Sequence, residues 1–483
     1  MIGSARAAVF LFAIVIAACG PTAVGGDDDD DGTGDAQQPA CAPGKTQACY
    51  TGAPGTAGVG PCTGGTQTCD ATGNWGVCAG EVVPVGESCG NGVDENCNGT
   101  ADEDNDADGD GFRTCSGDCC DATTDGCGDP KLVNPGAFEA PGNTVDDDCD
   151  GMIDNTVALT CDSSLTSNSA NAVDYAKAME LCQSATMSDK KWGLISARFT
   201  LTNGSGAPNA DQRSIRPSFG GTTVRAGSSF AVLSTGNAAA VGQTNPNYVA
   251  FQQGRTIGGS SPAPADWIAA NGNKLPNAPG CPAPTGTTAN DPIMLELQIR
   301  TPTNAKSFKL STNFLSSEYP EWTCSAFNDF FVVLLDSTYS GQPANPADKN
   351  LAVYRAPTMQ TYPVGVNLAH GNTGLFQQCK NGGTGCALGA TAGTISTCTG
   401  TGELTGTGMD VANPGGLFGY CGTNNLMGGG TGWLVTAGNV VGGEIITLRI
   451  AIWDTSDGAL DSLSILDNFE WSVDASTPGT VIF

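Results

Sequence analysis

Twelve cysteines lie between Cys41 and Cys149 and eight between Cys161 and Cys421, and both numbers are even. Cysteines divided this way near Asn155 can close their disulfides inside two separate regions, which limits both folds before any hydrophobic pattern is read. The remaining cysteine, Cys19, ends "MIGSARAAVFLFAIVIAAC", where Arg6 precedes an apolar run from Ala7 to Ala18. That order is a secretory signal, and the run is too short to span a bilayer comfortably. Export fixes an oxidising compartment, the condition that the disulfide reading needs. Pairings do not follow from sequence alone; the suggested ones are Cys161 with Cys182, Cys281 with Cys324 and Cys398 with Cys421.

The ending "IAAC" resembles the bacterial lipobox, which implies acylation of Cys19 and removal of residues 1–18. Gly20 follows the cysteine instead of an aspartate, which points to an outer-membrane or cell-surface location with the membrane reached through the lipid. Residues 19–40, including "GGDDDDDGTGD", hold no core-forming pattern and read as a solvated tether. Across the chain 49 Asp and Glu face 20 Lys and Arg, a formal charge of -29. Nucleic acid and anionic membrane surfaces repel such a chain, whereas cations are natural partners.

Residues 41–88 form a cysteine-rich region with too little apolar content for a core of its own. Its "GESCG", Gly86 to Gly90, matches the G-x-S-x-G spelling of a hydrolase elbow, but Ser88 lacks the strand before and the helix after that an elbow requires. Residues 89–155 contain an internal repeat. "GNGVDENCNGTADED", from Gly90, returns as "GNTVDDDCDGMIDN", from Gly142, with Cys97 matching Cys149.

Between the copies, "DNDADGDGFRTCSGDCCDATTDGC" crowds carboxylates around Arg113 with no lysine in the stretch. Like charges held close need a positive partner, and a metal ion is the simplest. Calcium prefers several oxygens, and alternating aspartates before a glycine turn supply them: Asp106, Asp108 and Asp110 precede Gly111 as in an EF-hand loop. Position twelve of such a loop is Gly117 and not glutamate, so Asp118 and Asp121 are expected to close the shell. Asp104, and the acidic positions Asp94, Asp102, Asp146, Asp150 and Asp154 of the repeats, complete the candidate set.

The run "CGNGVDENCNGTADEDNDADGDGF…GDCCDATTDGC…NPGAFEAPGNTVDDDCDGMID" resembles a metal-binding motif related to the copper-binding MopE-type surface proteins. The resemblance implies metal binding. Copper does not carry over, because Met152 is the sole soft side chain positioned there and the single histidine, His370, lies far along the chain. Calcium is therefore the expected cofactor and copper the lesser alternative.

Residues 156–483 read differently. "AVDYAKAMELC", Ala172 to Cys182, has helical spacing with Asn171 as N-cap. Elsewhere short strands alternate: Ile293, Leu295, Leu297 and Ile299 share a face, as do Phe308, Leu310 and Phe314, then Leu448, Ile450 and Ile452, and last Phe469, Trp471 and Val473. "FFVVLL", Phe330 to Leu335, is apolar on both sides, as a central strand is. The fold class is mainly β, a β-sandwich or jelly roll with one short helix, preceded by a disulfide-rich, loop-rich acidic stalk. Cys379 to Gly432 reads as a decorated loop.

"SSEYPEWTCSAFNDFFVVLLD", with "WGLISARF", "VLSTG", "KNLAVYRAP" and "LRIAIWDTSDGALDSLSILDNFEW", resembles the choice-of-anchor L domain, an extracellular β-rich module. Ser317 stands where the family's first glutamate is usual. The family implies no reaction. From the residues, Glu318, Asp329, Asp454, Asp461, Asp467 and Asn468 sit near strand ends and form a possible second metal site. The expected function is non-enzymatic: a lipid-anchored surface protein with a calcium-type stalk, presenting a sandwich for adhesion or for capture of an extracellular ligand, carbohydrate or protein, with Tyr319 and Trp322 as candidate contacts. The alternatives are a polysaccharide hydrolase using Glu318 and Asp329 as acid and base, and a MopE-type copper protein.

Overall fold

A computed structural model describes residues 41–102, 104, 106–155, 161–253, 256–370, 373–385, 398–412 and 426–482. The signal, Cys19 and the acidic tether lie outside them. Two compact units form. In the smaller, described over 41–47 and 67–77, the Cys41–Cys69 disulfide and a turn closed on Asp70 do the holding. The larger contains residues 48–66 and 78–483.

Short alternating segments separated by Gly, Pro and Asn turns give eleven main strands in the larger unit. They are β1 Gly193–Thr200, β2 Arg213–Arg216, β3 Phe230–Ser234, β4 Ser260–Pro262, β5 Thr288–Arg300, β6 Ser307–Ser316, β7 Phe330–Asp336, β8 Gly429–Asn439, β9 Ile445–Thr455, β10 Ser462–Ser472 and β11 Gly479–Ile482. One antiparallel sheet has the order β11-β8-β6-β10-β3-β2; the other has the order β7-β9-β5-β1, with β4 also on β5. Side chains from both sheets meet in one core, among them Ile293, Leu295, Leu297 and Ile299 against Phe308, Leu310, Phe314 and Phe469. This is a β-sandwich.

The double-sided apolarity of β7 follows from two different covers. Phe331, Val333 and Leu335 face the central core, while Phe330, Val332 and Leu334 pack on the outer face with Trp267 and Trp453. Trp267 comes from α2, Ala265–Ala270, a second helix that the apolar spacing did not announce. The expected helix, α1, spans Ala172–Lys177 with Asn171 as its N-cap. It stops before Cys182 because Glu180 takes a left-handed backbone, φ 67°. The expected loop from Cys379 to Gly432 also needs correction at its end, since Gly429–Gly432 already belongs to β8.

Nine disulfides close among the described residues, six from Cys41–Cys69 to Cys119–Cys149 in the first region. Cys161–Cys182 and Cys281–Cys324 pair as suggested. Cys398 pairs with Cys379, nineteen residues away, and not with Cys421, which lies outside the described residues.

Candidate metal centres

The two repeat copies fold alike. Cys97 and Cys149 both have a left-handed backbone, φ 59° and 58°, and each is crosslinked to an upstream cysteine, Cys62 and Cys119. In the first copy Asp102 accepts the backbone N–H groups of Gly90, Asn91 and Gly92 at 2.6, 3.0 and 2.8 Å. In the second, Asp154 accepts those of Gly142, Asn143 and Thr144 at 2.6, 3.2 and 3.2 Å. Both carboxylates are thus occupied in closing their loops. Asp94 and Asp146 are also equivalent: each accepts two amides, from Asn98 and Gly99 and from Asp150 and Gly151.

The copies differ in charge. Asp148 of the second stands where the first has Asn96, and Asp150 where it has Asn98. Correspondingly, oxygens of Glu139, Asp146 and Asp148 lie within 4.8 Å of one another. Glu139 Oε1 accepts the Asp148 amide at 3.1 Å, while Oε2 is buried and makes no hydrogen bond. Burial, then neighbouring carboxylates, pushes Glu139 up to about 7 and Asp146 up to about 6. Sequence reasoning missed Glu139 because the repeat as read begins at Gly142; the signal lay three residues earlier, where Glu139 matches Glu87, whose Oε1 accepts the equivalent amide, that of Asn96, at 2.9 Å. Asp150 is turned away to the Met152 amide and the Asn155 side chain.

Between the copies, five of the six expected ligands converge. Asp106, Asp108 and Asp121 form one close triad and Asp108, Asp110 and Asp118 another, sharing Asp108. The turn is wound on its own carboxylates: Asp108 accepts the Asp110 amide at 2.9 Å, and Asp110 the Phe112 amide at 2.7 Å. Asp118 has no exposed surface, and its Oδ2, like Asp108 Oδ2, is buried without a hydrogen-bond partner. Burial first, then Asp110, Asp108 and Asp121, pushes Asp118 up to about 7. Asp104 instead pairs with Arg113 at 3.3 Å on the surface. The absence of lysine from the stretch is made good from afar: Lys190 Nζ reaches the Gly111 carbonyl and lies 5.2 Å from the Phe112 ring centroid.

An oxygen-only set with orphaned buried oxygens fits a hard divalent cation. His370 is elsewhere, grouped with the disulfide-bonded Cys281 and Cys324, and burial alone lowers its pKa. Among the described residues, the close groups in the acidic loops are made of carboxylates without histidine.

The six residues expected at the sandwich end divide. Asp467 and Asn468 go to a separate place, where Asp467 accepts the Arg225 amide and the Asn468 amide is held by Glu180 Oε2 at 2.7 Å. Glu318, Asp329, Asp454 and Asp461 stay together, joined by Asp291. All five are at most 1% exposed. Glu318 and Asp329, proposed above as a hydrolytic pair, are thus sealed from any polysaccharide. Tyr319 is likewise core, fully buried beside Phe376, and not a surface contact.

No helix among the described residues is long and apolar enough to cross a membrane. No curated protein and no solved structure matches the chain. The metal-binding motif of MopE-type proteins matches residues 85–103 and 129–155, the two repeat copies with Glu87 and Glu139 included. The Choice-of-anchor L domain matches residues 226–468, 243 of the 483 residues. Both are surface-protein types, and by the longer match the chain belongs to the choice-of-anchor L domain family.

Proposed function

We propose that this is a non-enzymatic, lipid-anchored surface protein of the bacterial outer membrane, whose acidic loops hold calcium and whose sandwich serves adhesion or ligand capture. The observation that carries the reading is the pair of triads sharing Asp108, with Asp118 fully buried and one of its oxygens unpaired. An ionised carboxylate in that setting is costly unless a cation meets it. Calcium, when bound, supplies that charge. The chain's own part is to pre-form the loop through the Asp108 and Asp110 turns and to bring in Asp118 and Asp121 through the Cys119–Cys149 and Cys120–Cys127 crosslinks.

The domain divisions at 40, 88 and 155 belong to this reading, as does attachment through Cys19. The extracellular ligand would be carbohydrate or protein, and the formal charge of -29 disfavours nucleic acid.

Metal content of the purified mature chain, measured by mass spectrometry before and after dialysis against chelator and paired with a melting curve, tests the proposal. Stoichiometric calcium whose removal lowers Tm is expected, because a ligand of the native state stabilises it by mass action. Bound copper, or no metal with an unchanged melting curve, would reject it.

A further inference from the structure

At one end of the sandwich, where β6 and β9 leave their sheets and β7 and β10 enter them, carboxyl groups are shut away from water. Asp454 and Asp291 are 0% exposed, and Glu318, Asp329 and Asp461 are 1% exposed. The charged groups acting most strongly on Glu318, Asp329 and Asp454 are all carboxylates, with no lysine or arginine among them. The Asp329 charge acts on both Glu318 and Asp454, while Asp457 and Asp461 act on Asp329 itself.

Capping explains part of the set. Asp329 accepts the Ser462 hydroxyl at 2.5 Å and the Thr455 amide at 3.3 Å, and Asp291 Oδ1 accepts the Ile257 and Gly258 amides at 2.8 and 2.6 Å. It does not explain the rest. Both oxygens of Asp454, Oε2 of Glu318 and Oδ2 of Asp291 are buried and make no hydrogen bond, although the Thr235 hydroxyl lies close enough to Asp454 to favour its ionised form. Space here is kept by glycine: a Cβ on Gly236 would overlap Asp461 Oδ2, and one on Gly365 would overlap the Asp329 carbonyl.

We infer that Glu318, Asp329, Asp454 and Asp461, backed by Asp291, form a buried calcium site that clamps the ends of β6, β7, β9 and β10 to one another. The donors are all oxygen, which selects a hard cation. Their burial selects further: magnesium sheds water reluctantly and keeps several waters, whereas calcium accepts a dehydrated ring of carboxylates. No three of these carboxylates have oxygens mutually within the 4.8 Å seen in the acidic loops. Binding therefore requires these side chains to close onto the ion. The site uses none of the acidic-loop residues and stands independently of the function proposed above.

The competing arrangement is a set of carboxyls that simply hold protons. Native mass spectrometry with calcium on the full mature chain separates the two. In Asp118→Asn/Glu139→Gln, which impairs the acidic loops and leaves the sandwich intact, one calcium equivalent remains, and terbium bound in its place is sensitised by the adjacent Trp453. Adding Asp454→Asn removes that equivalent and the calcium-dependent rise in Tm. Should the Asp118→Asn/Glu139→Gln chain retain no calcium, the inference is overturned even if the Asp454 variant does not fold. Equal calcium binding with and without Asp454→Asn overturns it as well. Failure of the acidic-loop reading shows separately, as equal calcium content in wild type and Asp118→Asn/Glu139→Gln.

Discussion

Asn134 donates from Nδ2 to Asp110 Oδ2 at 2.7 Å, while its Oδ1 accepts the Thr303 hydroxyl at 2.8 Å and the Gly136 amide at 2.9 Å. One fully buried amide therefore ties the acidic loop to the β5–β6 connection of the sandwich. Close by, Asn304 exchanges two hydrogen bonds with the Phe138 backbone, at 3.1 and 2.8 Å. The acidic region is docked on the sandwich through these asparagines.

Asn134→Ala tests whether that docking couples the two. It leaves Asp110, Thr303 and Gly136 short of a partner, at about 1–3 kcal/mol for each group that stays buried. Calorimetry should change from one transition, lowered by chelator, to two, with only the lower one responding to chelator. A single transition at the wild-type Tm would mean that the contact carries no coupling.

The repeat allows a finer test, because its acidic positions have different tasks. Asp154 holds three amides, whereas Asp146 shares a close triad with Glu139 and Asp148. Asp154→Asn turns an N–H₂ toward an amide it should accept, so a loss of about 1–2 kcal/mol is expected with bound calcium unchanged. Asp146→Asn should lower bound calcium. Urea unfolding and metal analysis of the two variants check this, and calcium loss in Asp154→Asn would make that residue a ligand after all.

Much of this was legible in the sequence. Alternation fixes the faces of Ile293 to Ile299 and Leu448 to Ile452 because a strand with one face on a core has period two. The even cysteine count in each region announced crosslinks within it but not the partners: Cys161–Cys182 and Cys281–Cys324 form as suggested, and Cys398 takes Cys379 instead of Cys421. What was illegible is what depends on long-range placement. Asp291 is one acid within β5 until the Ile257–Gly258 turn folds onto it, and Lys190 reaches Gly111 only once the acidic region has docked. Asp102 and Asp146 belong to the same motif, and only their amide partners separate a loop clasp from a triad member.

A salt-dependent element sits on the outer face of the second sheet. Asp266 of α2 meets Arg449 at 2.6 Å and Lys349 at 2.9 Å, and Asp336 of β7 meets Arg449 at 3.2 Å. Arg449 first, and Lys349 with it, holds the Asp266 carboxyl well below the usual carboxylate range. A depressed folded pKa gives stability that is present above the unfolded value of about 4 and is lost as pH falls through the folded value. Partly exposed pairs are worth about 0–1 kcal/mol each. Asp266→Asn should therefore cost roughly 1 kcal/mol at neutral pH and low salt. Less of that difference should survive in molar salt, and equal losses at both ionic strengths would show that packing of α2, not charge, is responsible.

Glu180 and Asp467 predict the opposite slope. The two carboxyls lie close together beneath the end of α1, where burial first, then the Asp467 charge, pushes Glu180 up to about 9, while burial pushes Asp467 up to about 6. The raised value of Glu180 favours its protonated form beside Asp467. A carboxyl whose folded pKa is raised binds more protons folded than unfolded, so its contribution is full below the unfolded value of about 4.5 and is lost as pH rises through about 9. Across that window one proton can tilt stability by up to about 1.4 kcal/mol per pH unit. Glu180→Gln keeps a donor toward Asp467 and removes the titration. Chemical unfolding at several pH values in chelator, which sets aside any metal linkage, should show wild-type stability falling from pH 5 to 9 and a flatter profile in Glu180→Gln. Parallel profiles would mean that Glu180 is ionised in the folded chain, and that the turn at its left-handed backbone is held by something other than a shared proton.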